Sequence, residues 1–186
     1  MIRLNLNFHP FPEITTERLR LRQLHENDVP ELFEIRSDPE AMRYIDRPLA
    51  AGENDALRLI RIISEGLDKN ESITWAISFK DKPELIGTIG YWQMQPDNFR
   101  AEIGYILHPR HHRQGIMQEA MAPVIDFAFD HMNLHSIEAN INPQNIGSQK
   151  LLEKSNFVKE AHFKENCFFN DRFTDTAIYS LLNPHH

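Results

Sequence analysis

The sequence predicts one mixed α/β domain, and three observations point to it. The chain has 186 residues, enough for one domain with a substantial core and short for two. Segments in which apolar and polar residues alternate, the strand period, are interleaved with segments that repeat every third or fourth residue, the helix period. No internal repeat and no Ser/Gly-rich linker interrupts the chain. The domain is therefore taken as residues 1–186, with roughly the first 12 residues and the tail 183–186 peripheral.

Each element has its own signal. Arg18-Leu19-Arg20-Leu21-Arg22 alternates strictly, as a half-exposed strand does. Asn27-Asp28-Val29-Pro30-Glu31 supplies a cap-type residue and a proline that a first helical turn tolerates; Leu32, Phe33 and Ile35 continue an apolar stripe. Ala56, Ile60, Ile63 and Leu67 fall on one face of a second helix. Ile73, Trp75, Ile77 and Phe79 alternate with Thr74, Ala76 and Ser78, a strand with one strongly apolar face. After a turn at Asp81-Lys82-Pro83, Leu85 to Trp92 is apolar or small on both faces, as a central strand is.

Pro96-Asp97-Asn98 marks another turn before the strand Ala101 to Leu107. A polar loop, His108 to Gly115, then opens a long helix whose apolar pairs recur every fourth residue from Ile116/Met117 to Met132. Pro123 inside it predicts a bend or a lost hydrogen bond. Ser136 to Ile141 reads as a strand, Asn145 to Asn156 as a short helix, and Phe157 to Lys164 with Arg172 to Leu182 as a closing hairpin.

Composition narrows the function classes. Apolar residues at 41 % and charged residues at 25 % exclude disordered and collagen-like chains. Asp and Glu outnumber Lys and Arg by 27 to 20, a formal charge of −7. Bulk charge therefore draws neither nucleic acid nor an anionic membrane, and suits a cationic substrate. The single cysteine, Cys167, excludes an internal disulfide and a paired-cysteine metal site, and is expected to be a buried small apolar residue. No segment approaches the ~20 apolar residues of a membrane-spanning helix. The start of the chain alternates instead of forming a signal-peptide apolar run, so the expected location is cytoplasmic.

Three features carry chemistry. The loop His108 to Gly115, with Arg110 and Arg113, feeds a helix N-terminus, where unpaired N–H groups and the dipole suit a phosphate. On spacing alone it reads first as a strand-to-helix corner with solvated basic residues. Asn142-Pro143-Gln144-Asn145-Ile146-Gly147-Ser148 joins a strand to a helix, and there Asn145 reads as a cap. Glu102 enters an apolar strand, so it is either functional or exposed at a frayed end. His108, His111 and His112 invite a metal, but Pro109 prevents their alignment and no acidic residue lies in the loop. No metal site is expected.

Together these pieces resemble a family. Glu102-Ile103-Gly104-Tyr105, Arg113-Gln114-Gly115-Ile116-Met117-Gln118-Glu119-Ala120 and the segment from Asn142 to Ser148, followed by Leu151 to Phe157, look like successive motifs of the GNAT N-acetyltransferases. Thr16-Glu17-Arg18-Leu19-Arg20-Leu21-Arg22 resembles the opening of the RimJ/RimL-like branch, and the likeness runs from about Thr16 to Leu182. The pyrophosphate loop departs from the family pattern: His112, Gly115 and Met117 occupy its three named positions, and Met117 is expected to narrow the approach to the phosphates. Asn156 stands where the family often has a helix-ending glycine, a benign change because Asn tolerates the left-handed cap.

The resemblance implies the acyl-CoA N-acyltransferase fold, a mixed, mostly antiparallel sheet with two splayed parallel central strands flanked by helices. The matching strands are Ala101 to Leu107 and Ser136 to Ile141. It implies acetyl-CoA as co-substrate and direct acetyl transfer to a primary amine: a peptide N-terminus, a polyamine or another small amine. Backbone groups of Ile106 and Leu107 would pair with the pantetheine arm. The amides of His112, Arg113, Gln114, Gly115, Ile116 and Met117 would hold the pyrophosphate, Asn145 the pantetheine, and Lys154 the nucleotide phosphate. Glu102 is the expected base and Ser148 the expected acid, with Tyr105 as the alternative hydroxyl. Tyr44 and Arg47 are candidates for the acceptor side, while Trp75 and Trp92 read first as core. The competing reading is a non-catalytic acyl-CoA-binding module. Monomer and homodimer both stay open.

Overall fold

The computed structural model describes residues 3–185. Its strands are β1 (Ile14–Thr15), β2 (Leu19–Gln23), β3 (Ile73–Phe79), β4 (Gly87–Gln95), β5 (Arg100–Leu107), β6 (Ser136–Ile141), β7 (Val158–Phe169) and β8 (Arg172–Leu182). The helices are α1 (Val29–Ser37), α2 (Glu53–Asp68), α3 (Ile116–Asp126) and α4 (Ile146–Lys154). All eight strands join one sheet in the order β1-β2-β3-β4-β5-β6-β8-β7. Only β5 and β6 run parallel; the other neighbouring pairs are antiparallel.

Strand alternation divides the core between the two faces of the sheet. Ile73, Trp75 and Ile77 of β3, with Ala101 and Ile103 of β5, pack with Ala120, Met121 and Val124 of α3. Ala76, one step out of phase, joins Leu32 and Ile35 of α1 and Ala56 and Ile60 of α2 on the other face, where Ile106 also packs. The buried Tyr91 hydroxyl ties α3 to the sheet by donating to the Val124 carbonyl at 2.9 Å. The predicted helix to Met132 is not uniform. Pro123 lies inside α3, and the last turn, Phe127–His131, widens to π geometry with the Met132 N–H on the Phe127 carbonyl at 3.0 Å.

The described part of the first twelve residues, 3–12, is not peripheral. Phe8 is fully buried among the α3-side core residues, Leu4, Leu6 and Phe11 pack against them, and the Pro12 carbonyl accepts the Trp75 indole N–H at 2.7 Å. Asn183 is also buried, its amide donating to the Leu134 carbonyl at 3.0 Å. Met1, Ile2 and His186 lie outside the described residues. Arg22 and Asp28 form a buried two-pronged pair at 2.6 and 2.8 Å, and Arg22 also donates to the Pro83 carbonyl at 2.7 Å. That pair pins the entry of α1 to the β3–β4 turn.

The sheet is split at its middle. β5 and β6 are in register only at Arg100↔Ser136, Ala101↔Ile137 and Glu102↔Glu138. Beyond that point β5 stays paired with β4 as far as Leu107↔Gly87, and β6 stays paired with β8 as far as Ile141↔Ala177. The two parallel strands therefore diverge from Glu102 onward, as the splayed-strand fold requires.

Candidate active site

The walls of this gap follow from the ladder phase. In an antiparallel pair, alternate residues direct their N–H and C=O groups to the partner strand. The His108 N–H bonds the Ile86 carbonyl at 2.9 Å, so Ile106, two residues earlier, turns its peptide groups toward β4. Ile103, Tyr105 and Leu107 turn theirs to the β6 side, in phase with Phe99, whose carbonyl accepts the Ser136 N–H at 3.2 Å. The expectation for Leu107 agrees with this phase. For Ile106 it is corrected: its backbone belongs to the β4 ladder and its side chain to the α1/α2 core. His112 Nε2 lies 2.9 Å from the Leu107 carbonyl oxygen, which can only accept, so the ring donates there.

At the open end of the gap the loop enters α3. Arg113 has φ of 59° and Gly115 of 72°, both left-handed. Gly115 is the N-cap and supplies no side chain; its carbonyl accepts the Glu119 N–H at 3.0 Å. The N–H groups of Ile116, Met117 and Gln118 thus have no partner within the helix and face outward along its axis. Ile116 and Met117 are buried in the α3-side core. The expected narrowing by Met117 does not occur, because its side chain points into the protein. Arg18 braces the turn, donating to the Gln114 carbonyl at 3.1 Å and to Glu119 at 2.6 Å. Burial pushes the Glu119 carboxyl up, and bonds from Thr16 and Arg18 outweigh it, holding it below the ordinary range.

The loop is electropositive. Burial lowers the His111 imidazole, and His108, Arg110, His112 and Lys82 push it lower still. Arg110 is committed to Glu34, which also lies 3.3 Å from His108 Nε2. Gln114 donates to the Arg110 carbonyl at 2.9 Å.

On the α3 face of the gap, Asn145 caps α4 by accepting the Ser148 N–H at 3.0 Å. Ser148 is buried, and its hydroxyl lies 2.5 Å from that of Tyr105. Burial raises the Tyr105 phenol to about 12. The serine and the tyrosine are thus one hydroxyl pair instead of alternatives. Lys154 is exposed at the end of α4. There it joins Gln118 and Asp126 along a surface cavity of about 350 Å³.

Glu102 stands on the opposite face. It is only 8 % exposed, and Asn140 Nδ2 donates to its Oε2 at 2.9 Å. Burial drives its carboxyl up, Glu138 adds to that, and hydrogen bonds from Asn140 and Trp92 with the charge of Arg47 oppose it; the net direction is upward. Trp92, across the ladder from Glu102, is 37 % exposed with the Arg47 guanidinium 5.4 Å over its ring, so it is not core. Trp75 is core, as expected. Tyr44 instead lies under Arg43 at 5.3 Å. At Gly104 an added Cβ would meet only the Trp92 ring, at 3.5 Å, leaving open space above the strand. Cys167 is half-buried, its thiol pushed up by a bond to Asp46.

The structure thus gathers Glu102, Arg47, Trp92 and Asn140 on one side of the gap, Tyr105 and Ser148 on the other, and the Gly115 turn at its mouth. Asn140 and Glu138 were not singled out by sequence as site residues, because the β5–β6 register that unites them with Glu102 is tertiary. Trp92, weighed for the acceptor side but read first as core, is brought to Glu102 by the β4–β5 ladder. Among the described residues, no group of three or more His, Cys, Asp or Glu is placed to hold a metal ion, and no helix is long and apolar enough to cross a membrane.

Comparison with known proteins agrees with this geometry. Residues 18–158 match the acetyltransferase (GNAT) domain family. An uncharacterised N-acetyltransferase of Bacillus subtilis, YoaA, is 33 % identical over 94 % of this chain and 98 % of its own length. The [ribosomal protein uS5]-alanine N-acetyltransferase of Escherichia coli is 23 % identical over 94 % of this chain and 93 % of its own. Among solved structures, a GNAT acetyltransferase from Bacillus anthracis superposes with a TM-score of 0.82 at 24 % identity, over 92 % of this chain and 99 % of that one. A spermidine N-acetyltransferase from Vibrio cholerae, in complex with CoA and spermine, gives 0.78 at 23 % identity, over 89 % and 95 %.

Proposed function

The chain belongs to the GNAT acetyltransferase family, and from that premise we propose that it moves the acetyl group of acetyl-CoA directly onto a primary amine, a peptide N-terminus or a small amine such as a polyamine. The observation that carries the reading is the unpaired stretch of β5 beyond Glu102, with the Gly115 turn at its mouth. Relatives acting on a ribosomal-protein alanine and on spermidine support both acceptor classes. The cytoplasmic location expected from the sequence belongs to the same reading.

The residues present fit acetyl-CoA. The Tyr105 peptide groups and the Leu107 N–H, on the gap side of β5 beyond its last pair with β6, offer a strand edge to an extended amide-bearing arm. The N–H groups at the start of α3, in a basic loop, offer donors to a pyrophosphate. Asn145 lies beside the hydroxyl pair at the head of α4, and Lys154 at its far end is the cation for the nucleotide phosphate. Acetyl-CoA supplies a thioester carbonyl open to attack and a thiolate that leaves readily. The chain supplies the proton traffic. Glu102 takes the proton of the incoming ammonium, and the upward drift of its carboxyl improves its match to an α-amino group of pKa about 8. Across the gap, the Ser148–Tyr105 pair would supply the proton for the leaving thiolate, and N–H groups of β5 on the gap side would stabilise the developing oxyanion. Arg47 and Trp92 border the acceptor side.

The test is release of free thiol from acetyl-CoA with a panel of amines, read together with acceptor mass. Turnover with at least one primary amine, gaining one acetyl group, is expected. Glu102→Gln should lower the rate by about 10²–10⁴, most on the acid side where the amine holds its proton. Binding of acetyl-CoA with no turnover across N-terminal peptides and polyamines would overturn the reading.

A further inference from the structure

We propose that Asn140 is a positioning residue for Glu102, and that Glu138 and Arg100 behind it form the rest of a polar chain that sets the direction and basicity of the Glu102 carboxylate. The proposal rests on the reading of Glu102 as the base. The Asn140 side-chain N–H₂ donates to two carboxylates at once, Glu102 Oε2 and Glu138 Oε1, each at 2.9 Å. Its two hydrogens are thereby shared between two acids that stand in register on neighbouring strands. Glu138 is anchored in turn: Arg100 donates to its other oxygen at 3.1 Å and to Ser136 Oγ at 3.0 Å. Ser136–Arg100–Glu138–Asn140–Glu102 is a continuous series of polar contacts across the last three paired residues before β5 and β6 part.

Two facts tie these contacts to Glu102. Parallel neighbours Glu102 and Glu138 place like charges side by side, which costs energy unless a donor bridges them or a cation screens one. Here Asn140 does the first and Arg100 the second. Glu102 is also the buried member, so its proton affinity is the one the chain can tune. The groups facing it are Asn140 and Glu138 from β6, Trp92 from β4 and Arg47 from the segment after α1. Asn140 is exposed and its strand keeps its ladder with β8, so its replacement leaves the fold in place.

The members of the series push in opposite directions, which gives the test. Asn140→Ala removes a donor from the carboxylate and should move the Glu102 titration up by about one pH unit. Arg100→Gln exposes Glu102 to an unscreened Glu138 and should move it the same way. Glu138→Gln removes the like charge and should move it down, and the Asn140→Ala/Glu138→Gln pair should return it near its starting point. The titration is read in the full chain by carbon NMR of labelled glutamate side chains, with Glu102→Gln assigning the signal, and again from the acid limb of kcat. A one-unit upward shift is a tenfold loss of rate well below the limb. Shifts of these signs in both readouts support the proposal. An NMR titration unmoved by Asn140→Ala and Glu138→Gln, while Glu102→Gln still cripples transfer, overturns the proposal and leaves the base in place. Shifts in the NMR titration with an active Glu102→Gln variant overturn the base and, with it, the positioning role.

Discussion

Gly115 offers the sharpest single perturbation of the site. Its φ of 72° is one that L side chains enter at a cost of about 1–2 kcal/mol, more for β-branched residues. A Cβ there would meet only the Arg18 guanidinium at 3.7 Å, an ordinary contact. The penalty of Gly115→Val is therefore conformational, not steric. At about 2 kcal/mol it lowers the melting temperature of a chain this size by roughly 4–8 °C. The loop relieves that strain by rotating toward negative φ, which turns the N–H groups at the head of α3 off axis. CoA affinity, measured by calorimetry, should fall tenfold or more, with kcat at saturating acetyl-CoA little changed. Gly115→Asn is the control, because Asn enters the left-handed region readily and should lose only a few-fold in affinity. Should Gly115→Val melt early yet bind CoA like the parent, the α3 amides do not hold the pyrophosphate.

Three further outcomes follow from the geometry. Ser148→Ala or Tyr105→Phe alone should lower kcat less than tenfold, since the partner hydroxyl remains. The double variant should lose about a hundredfold, and a double variant no worse than either single would remove the pair from proton transfer. Gly104→Leu fills the open space beside Trp92; steady-state kinetics should show the KM for the amine rising several-fold while that for acetyl-CoA stays put, and equal rises in both would refute an acceptor role for that face. Arg22→Met leaves Asp28 buried without its cation, at about 3 kcal/mol. The melting temperature should drop roughly 6–12 °C, and adding Asp28→Leu should recover much of it; no recovery would mean that packing, not charge, was lost.

The local periods carried most of the architecture. Ile73-Thr74-Trp75-Ala76-Ile77 alternates because its two faces meet different cores, and that alternation is visible without coordinates. The apolar stripe starting at Ile116/Met117 already implied that both residues turn inward, which is why Met117 does not obstruct the helix tip. Alternation likewise placed Tyr105 and Glu102 on opposite faces of β5. It was silent on Ser148, because the seat of α4 over the sheet depends on a crossover and not on any local pattern. The pairing of Glu102 with Glu138 was hidden for the same reason: nothing local sets the register of two parallel strands separated by a helix. Phe8 continues the alternation of Leu4 and Leu6, but nothing local indicated that this stretch packs on the α3 side of the sheet and completes the core. Trp92 looked like core by residue type and is instead a shelf for Arg47.

A sheet held across its centre by three residue pairs consists of two half-sheets, β1 to β5 and β6 to β8, each internally complete. Whatever fills the seam supplies the missing cross-links between the halves, so occupancy and cohesion rise together. A guest at a hundred times its dissociation constant adds about 2.7 kcal/mol to the folded state. Heat tolerance then becomes a direct gauge of how full the seam is, legible in a melting curve with no chemistry taking place.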